Sequence, residues 1–225
     1  MGLEDYKDIV ATAAGITTIA QCFAPAFICK NIVKKGSTKG FDALPFIGGI
    51  VISILMLQHG MILNDPTMIP VNIFGFGLNL CYLLCYYFYC EEKGPFFTTL
   101  AKAVGFIAIM VGYAKYEKPD LVEFRFGFIV TIIMLALIGF PLLSLGEIIK
   151  TKNTESLPFP LISSGAVVTS LWLLYGFIID NVFVQVQNAV GLTLCLIQLS
   201  LIFIFQNKSE NKQKDKAEEL KPKMS

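Results

Sequence analysis

Residues 72–78 read NIFGFGL and residues 188–194 read NAVGLTL, with Asn, Gly and Leu at matched positions 116 residues apart. The same shift places Pro25 on Pro141, Lys34 on Lys150, Leu55 on Leu171 and Gly60 on Gly176. A shift of 115, one residue slipped inside a loop, adds Pro45 on Pro160. Chance matches of Leu between apolar segments are cheap; matches of Pro, Asn and Gly across three helices are not. Self-similarity at a fixed period marks a repeated structural unit, so the chain holds one unit twice.

The nature of the unit follows from the charges. Only 16% of the 225 residues are charged, against roughly 25% in soluble domains, and mean hydropathy is +0.65. The runs Ile9–Cys29, Ala43–Leu63, Pro66–Cys90, Phe126–Gly146, Ser156–Ile179 and Val182–Asn207 contain no Asp, Glu, Lys or Arg. Each reaches the roughly 20 residues that a membrane-spanning helix needs. A seventh run, Phe96–Ala114, is interrupted only by Lys102, whose long side chain can snorkel to the headgroups. The fold class is therefore an all-α polytopic membrane protein with seven transmembrane helices.

Three helices followed at once by their copy would set the copy upside down, and one extra helix restores the orientation. The expected architecture is two parallel three-helix repeats joined by a linker helix (3+1+3), related by an axis along the membrane normal. Parallel repeats with a site near the midplane are a known transporter design. The expected divisions are an external N-terminus 1–8, a first bundle 9–92, a linker helix 93–119, a second bundle 120–207 and a tail 208–225. The tail is too polar to pack and is expected to be disordered. The acidic opening MGLEDYKDIV lacks the basic start of a cleaved signal peptide, so the first span is read as retained. The six cysteines all lie in apolar runs without metal-type spacing and are read as packed thiols.

Placing the C-terminus inside puts Lys30, Lys34, Lys35, Lys39, Lys93, Lys102, Lys150, Lys152 and the tail lysines in the cytosol, 14 of the 18 Lys and Arg residues. Lys7, Lys115, Lys118 and Arg125 remain outside. The positive-inside rule thus predicts an external N-terminus and a cytosolic C-terminus. The organelle stays open between the plasma membrane and Golgi or ER membranes.

The repeated residues are the candidates for function. A proline inside a helix removes a backbone hydrogen bond and bends it, so Pro25, Pro45, Pro141 and Pro160 are expected as hinges at matched depth. The bland alternative makes Pro45 and Pro160 helix starts and the other two static kinks. Asn72 and Asn188 each open an Asn-x-x-Gly pattern. A carboxamide offers donor and acceptor together, which suits a hydroxyl, and the glycine lets a neighbour approach closely. The alternative is interhelical glue. Trp172, the only tryptophan, could hold a sugar ring by its C–H face, with Met56 as its pseudo-symmetric, adaptable partner; the alternative is plain packing. His59 and Asp180, near the outer ends of the second and sixth spans, are candidates for a hydrogen-bonded outer gate or for two solvated helix-end residues.

Apart from Lys102, no span carries a charged residue at its middle, where ion-coupled carriers place them. That predicts passive movement of a neutral solute, with no cofactor and no metal. An enzyme is excluded because His59 has no nucleophile or ligand cluster around it. The remaining partners expected are the lipid bilayer and, left open, a second copy in a homo-oligomer; nucleic acid is not expected.

The stretches FPLLSLGEIIKTKNTESLPFPL, LWLLYG and VQNAVGLTLCLIQLSL in the second half, with STKGFDALPF and VNIFGFGLNL in the first, resemble the SWEET sugar-transporter family over residues 9 to 206. The resemblance implies the 3+1+3 fold and bidirectional, energy-independent sugar transport. It matches the family's four prolines to Pro25, Pro45, Pro141 and Pro160, its pocket asparagines to Asn72 and Asn188, and its pocket tryptophan to Trp172. The family's outer gate pairs Tyr with Asp; here His59 replaces the tyrosine and Asp180 is displaced by about one position. Met56 stands at a pocket position often held by a smaller residue. With Trp172 opposite, it predicts room across the pocket for one ring, a monosaccharide such as glucose. The rival readings are a PQ-loop-type carrier of another small solute such as an amino acid, and a seven-span receptor. A PQ-loop carrier is expected to show a Pro-Gln pair and an intramembrane acid, which this chain lacks. A receptor has no reason to repeat its first three helices as its last three.

The only sequon, Asn207-Lys208-Ser209, lies on the side read as cytosolic. Asn207 is expected to remain unglycosylated when the protein is made in cells, and a glycan there, seen as an endoglycosidase-sensitive mass shift, would reverse the orientation.

Overall fold

The computed structural model describes residues 2–152, 154 and 157–219, apart from the side chains of 140–144, 147 and 206–219. After a short 3₁₀ turn at Leu3–Tyr6 come eight α-helices: α1 (Lys7–Gln21), α2 (Ala26–Lys35), α3 (Leu44–Ile62), α4 (Met68–Tyr89), α5 (Lys93–Tyr116), α6 (Pro119–Thr151), α7 (Phe159–Ile178) and α8 (Val182–Glu219). Helices α1 and α2 form one broken span, so among the described residues seven elements are long and apolar enough to cross a membrane.

The packing repeats as the sequence does. In the first half α3 packs on α4, and α1 and α2 pack on α4; in the second, α7 packs on α8 and α6 packs on α8. Between the halves α1 packs on α7 and α6 packs on α3, the two contacts a pseudo-two-fold axis requires. Helix α5 rests on α3 as the linker. The seven-helix 3+1+3 architecture is therefore as expected.

Glycines set the approach of the helices, and they do so in pairs. A β-carbon built on Gly75 would sit 3.3 Å from Ser53 Oγ, and one on Gly191 would sit 3.1 Å from Thr169 Cγ2. Gly60 and Gly176 lie under the returning turns: a β-carbon would meet Met68 Cβ at 2.8 Å in one and the Gln185 nitrogen at 3.0 Å in the other. These are the glycines that the 116-residue shift superposes.

The prolines correct the expectation of four matched bends. Pro45 and Pro160 occupy the first turns of α3 and α7, where no intrahelical bond is lost, so they start helices and bend none. Pro25 stands at the break between α1 and α2. Around it the bonds tighten to the 3₁₀ pattern, Phe23 N–H to Ala20 O at 3.2 Å and Ala24 N–H to Gln21 O at 3.0 Å. The Cys22 carbonyl receives the Tyr82 hydroxyl at 3.1 Å. Pro141 lies within the unbroken α6, and its side chain lies outside the described residues.

Helix α8 is described as far as Glu219, past residue 208, where the polar tail was expected to begin; Lys and Glu, strong helix formers, supply seven of the twelve residues 208–219.

Gly176→Ala is expected to lower the thermal midpoint of the purified protein in detergent, by about 1–3 kcal/mol of stability, because the added methyl overpacks the turn. Gly105→Ala, where a β-carbon meets nothing within 4 Å, should be neutral or stabilising. Equal midpoints for the two variants would remove the close-approach argument.

Candidate functional site

A cavity of about 680 Å³ lies between the halves, and Met56, Asn72, Trp172 and Asn188 all line it. It runs from Met68 and Val184 at one end to Leu157, Pro158 and Gln198 at the other. The second end is that of the basic α2–α3 and α6–α7 loops, and is called the basic end below. The four residues singled out from the repeat are thus brought to one space.

The asparagines are held identically. Asn72 Nδ2 donates to Met68 O at 2.8 Å, and Asn188 Nδ2 donates to Val184 O at 2.8 Å, each one turn back on its own helix. Neither amide bonds to another helix, which removes the reading as interhelical glue. Each Oδ1 and the second N–H stay available to the cavity.

Trp172 is anchored across the axis. Its Nε1 donates to Thr18 Oγ1 of α1 at 2.8 Å, and its ring meets Tyr175 edge-on, with centroids 5.5 Å apart at 85°. The N–H is therefore already used, and the ring contributes contact area rather than a donor. Gln187 also lines the cavity, but its Nε2 donates to Thr131 Oγ1 at 2.7 Å.

The end opposite the basic end is closed by a buried layer that the repeat builds twice. After α3, Asn64 takes φ 51° and the Asp65 N–H returns to Gly60 O at 2.9 Å. Asp65 Oδ1 then receives the N–H groups of Thr67 and Met68 at 2.9 and 2.7 Å. After α7, Asp180 takes φ 51°, the Asn181 N–H returns to Gly176 O at 3.0 Å, and Asn181 Oδ1 receives the Val184 N–H at 3.0 Å.

Tyr175 links the halves in this layer: its hydroxyl donates to Asp65 Oδ2 at 2.7 Å and lies 3.3 Å from Thr67 Oγ1. Tyr175 is fully buried and Asp65 nearly so. The expected His59–Asp180 pair is not formed. His59 is fully buried between Phe126 and Phe183, with centroids 6.4 and 6.5 Å away, and neither ring nitrogen has a hydrogen-bond partner. Asp180 is the exposed, left-handed residue of its turn, and its neighbour Asn181 does the capping. The acid that crosses therefore comes from the first half and the tyrosine from the second. Neither was singled out from the sequence, although the 116-residue shift carries His59 onto Tyr175 and Asp65 onto Asn181.

Among the described residues no charged side chain lines the cavity, and no group of three or more His, Cys, Asp or Glu could hold a metal. The lining of carboxamides, threonines and an indole is chemically suited to a neutral solute rich in hydroxyls.

Comparison with known proteins agrees with this architecture. The family model described as "Sugar efflux transporter for intercellular exchange" matches twice, at residues 8–94 and 124–210, one match per half. The chain is 32% identical over 210 residues to sugar transporter SWEET1 of Drosophila pseudoobscura pseudoobscura, covering 92% of each chain. It is 28% identical to sugar transporter SWEET1 of Caenorhabditis elegans, over 93% of this chain and 69% of that one. It is 26% identical to the bidirectional sugar transporter SWEET10 of Arabidopsis thaliana, over 88% and 72%. The 3.7 Å structure of a eukaryotic SWEET transporter superposes with a TM-score of 0.83 at 23% identity, covering 91% of this chain and 99% of that one. Repeat, fold and family model converge, and the chain belongs to the SWEET sugar-transporter family.

Proposed function

We propose that this protein is a facilitative, bidirectional carrier of a neutral sugar, a monosaccharide such as glucose, working by alternating access. The observation that carries the reading is the matched pair Asn72 and Asn188, one from each half, with equal bonds to their own helices and free polar atoms toward one cavity. The names of the relatives, sugar transporters in insect, nematode and plant, support the substrate class. Trp172 offers its face to the ring, and Met56 limits the width.

In this reading the basic end faces the cytosol, the C-terminus is cytosolic, and the membrane is the plasma membrane or that of the Golgi or ER. Asp65 and Tyr175 take the outer-gate role first assigned to His59 and Asp180. Pro25 and its counterpart Pro141 act as hinges of the first and fifth spans, while Pro45 and Pro160 hold the helix starts that move with them. An amino-acid carrier of the PQ-loop type fits less well, because a zwitterion needs charged partners and none of the described residues lining the cavity is charged.

Labelled glucose should show counterflow in proteoliposomes without any ion gradient. Asn72→Ala or Asn188→Ala should weaken half-saturation roughly 5- to 150-fold, about 1–3 kcal/mol per unmade bond. Accumulation driven by a proton gradient, or unchanged half-saturation in both well-expressed variants, would sink the reading.

Tyr175→Phe should slow exchange, since it removes a bond to a charged acceptor worth about 1.5–3 kcal/mol and depopulates the state closed at that end. Exchange at the unmodified rate would take Asp65 and Tyr175 out of the gate.

A further inference from the structure

The cavity continues past the asparagine pair toward the basic end, and the residues there have no assigned task. Gln198 lies on α8 ten residues beyond Asn188, about 15 Å along the helix axis. It is only 8% exposed, lines the cavity, and has no hydrogen-bond partner. Its carboxamide atoms are not sealed from the cavity, and a polar group at membrane depth without a protein partner is satisfied by a hydroxyl that reaches it. Asn72 and Asn188 each spend an N–H on their own helix; Gln198 spends nothing, so its whole carboxamide is available.

A second carboxamide converges on the same region. Gln21, at the last turn of α1, also lines the cavity and has no partner. Gly165 of α7 sits beneath both sides: a β-carbon there would lie 3.5 Å from Gln21 Nε2 and 3.4 Å from Cys195 Sγ. Cys195 is one turn before Gln198 on α8, so α1 and α8 bring their polar side chains together over a bare patch of α7 backbone. Leu157, Leu161 and Leu194 supply apolar walls. Amides set among apolar walls repeat the chemistry of the midplane tier, one level nearer the basic end. The volume agrees, since about 680 Å³ falls within the roughly 300–1,000 Å³ of pockets that take a whole drug-sized molecule, more than one sugar ring fills.

Resting on the sugar reading above, we propose that the basic-end part of the cavity is a second hexose-binding tier, centred on Gln198 with Gln21, that receives a second sugar ring. Met56 and Trp172 restrict the cavity to one ring across; along its length it holds two. The ring is either that of a second free monosaccharide or the second ring of a disaccharide threaded along the axis.

The full chain, purified in detergent, tests this with glucose and maltose as probes. Trp172 is the only tryptophan and lies at the midplane tier, so its fluorescence reports that tier alone, while labelled-sugar binding reports both. A second ring from maltose predicts that Gln198→Leu weakens maltose binding roughly 2- to 10-fold, the range of one lost neutral hydrogen bond, with the glucose titration of Trp172 unchanged. A second free sugar predicts that bound glucose exceeds the amount that saturates the fluorescence, and that Gln198→Leu or Gln21→Leu removes the excess. If both variants leave maltose binding and glucose stoichiometry at wild-type values, the second tier does not exist. If wild type shows no fluorescence response to any sugar and no counterflow, it is the sugar reading itself that fails.

Discussion

Hydrocarbon offers no partner to a backbone N–H or C=O, so each place where a helix stops or breaks inside this bundle must be closed by the protein itself. At the break in the first span, Tyr82 reaches the Cys22 carbonyl that the missing turn leaves open. At the two tight turns, Asp65 and Asn181 return their N–H groups to Gly60 and Gly176 and offer their side-chain oxygens to the next helix. The turns can fold back this far only because no β-carbon stands on those glycines. The polar layer that seals one end of the cavity is therefore first a solution to a backbone problem. Only because Asp65 is already buried there, with one oxygen occupied by capping, is the other placed to meet Tyr175 from the opposite half.

The repeat preserves these backbone solutions while exchanging the chemistry hung on them. Gly15 against Val71 in the first half becomes Thr131 bonded to Gln187 in the second. Met56 becomes Trp172, and Met134, an apolar wall, stands where Thr18 holds the indole. His59 takes the place of Tyr175, and Asn181 that of Asp65. The exchange of Gly15 and Val71 for Thr131 and Gln187 keeps a contact between equivalent elements of the two halves. The outcome is a symmetric scaffold in which, of two equivalent positions at the closed end, one holds Tyr175 bonded across to the first half and the other a histidine with no hydrogen-bond partner.

This explains what could and could not be read in the sequence. Spans, repeat and parallel arrangement follow from charge-free runs and from Pro, Asn and Gly at one offset, because membrane burial and close packing act on residue type directly. The gathering of Asn72, Asn188, Trp172 and Met56 was legible for the same reason: matched positions in parallel units must face one axis. The crossing pair was not. Comparison with a family pattern looks for the acid after the sixth span and finds Asp180, whereas capping geometry selects the residue after the left-handed one. Applied to His59, the repeat itself would have pointed to Tyr175. Proline behaviour was misread because the same residue bends a helix interior but starts a helix at its first turn, and the sequence boundary was too coarse to separate the two.

The asparagine pair shows why these matters of geometry bear on transport. A carboxamide tied to its own helix has one rotamer to keep, so little ordering entropy remains to be lost when a hydroxyl arrives. Each amide belongs to a different half, and rocking the halves changes the distance between them without altering either local bond. Both contacts are neutral, so no ion has to enter or leave as they form. In the proposed reading, such a pocket would close on its solute from two sides, release it toward whichever end opens, and present the same chemistry in both directions. The Asp65 carboxylate is held by three hydrogen bonds outside the cavity lining, a position that in the proposed reading suits closure rather than binding.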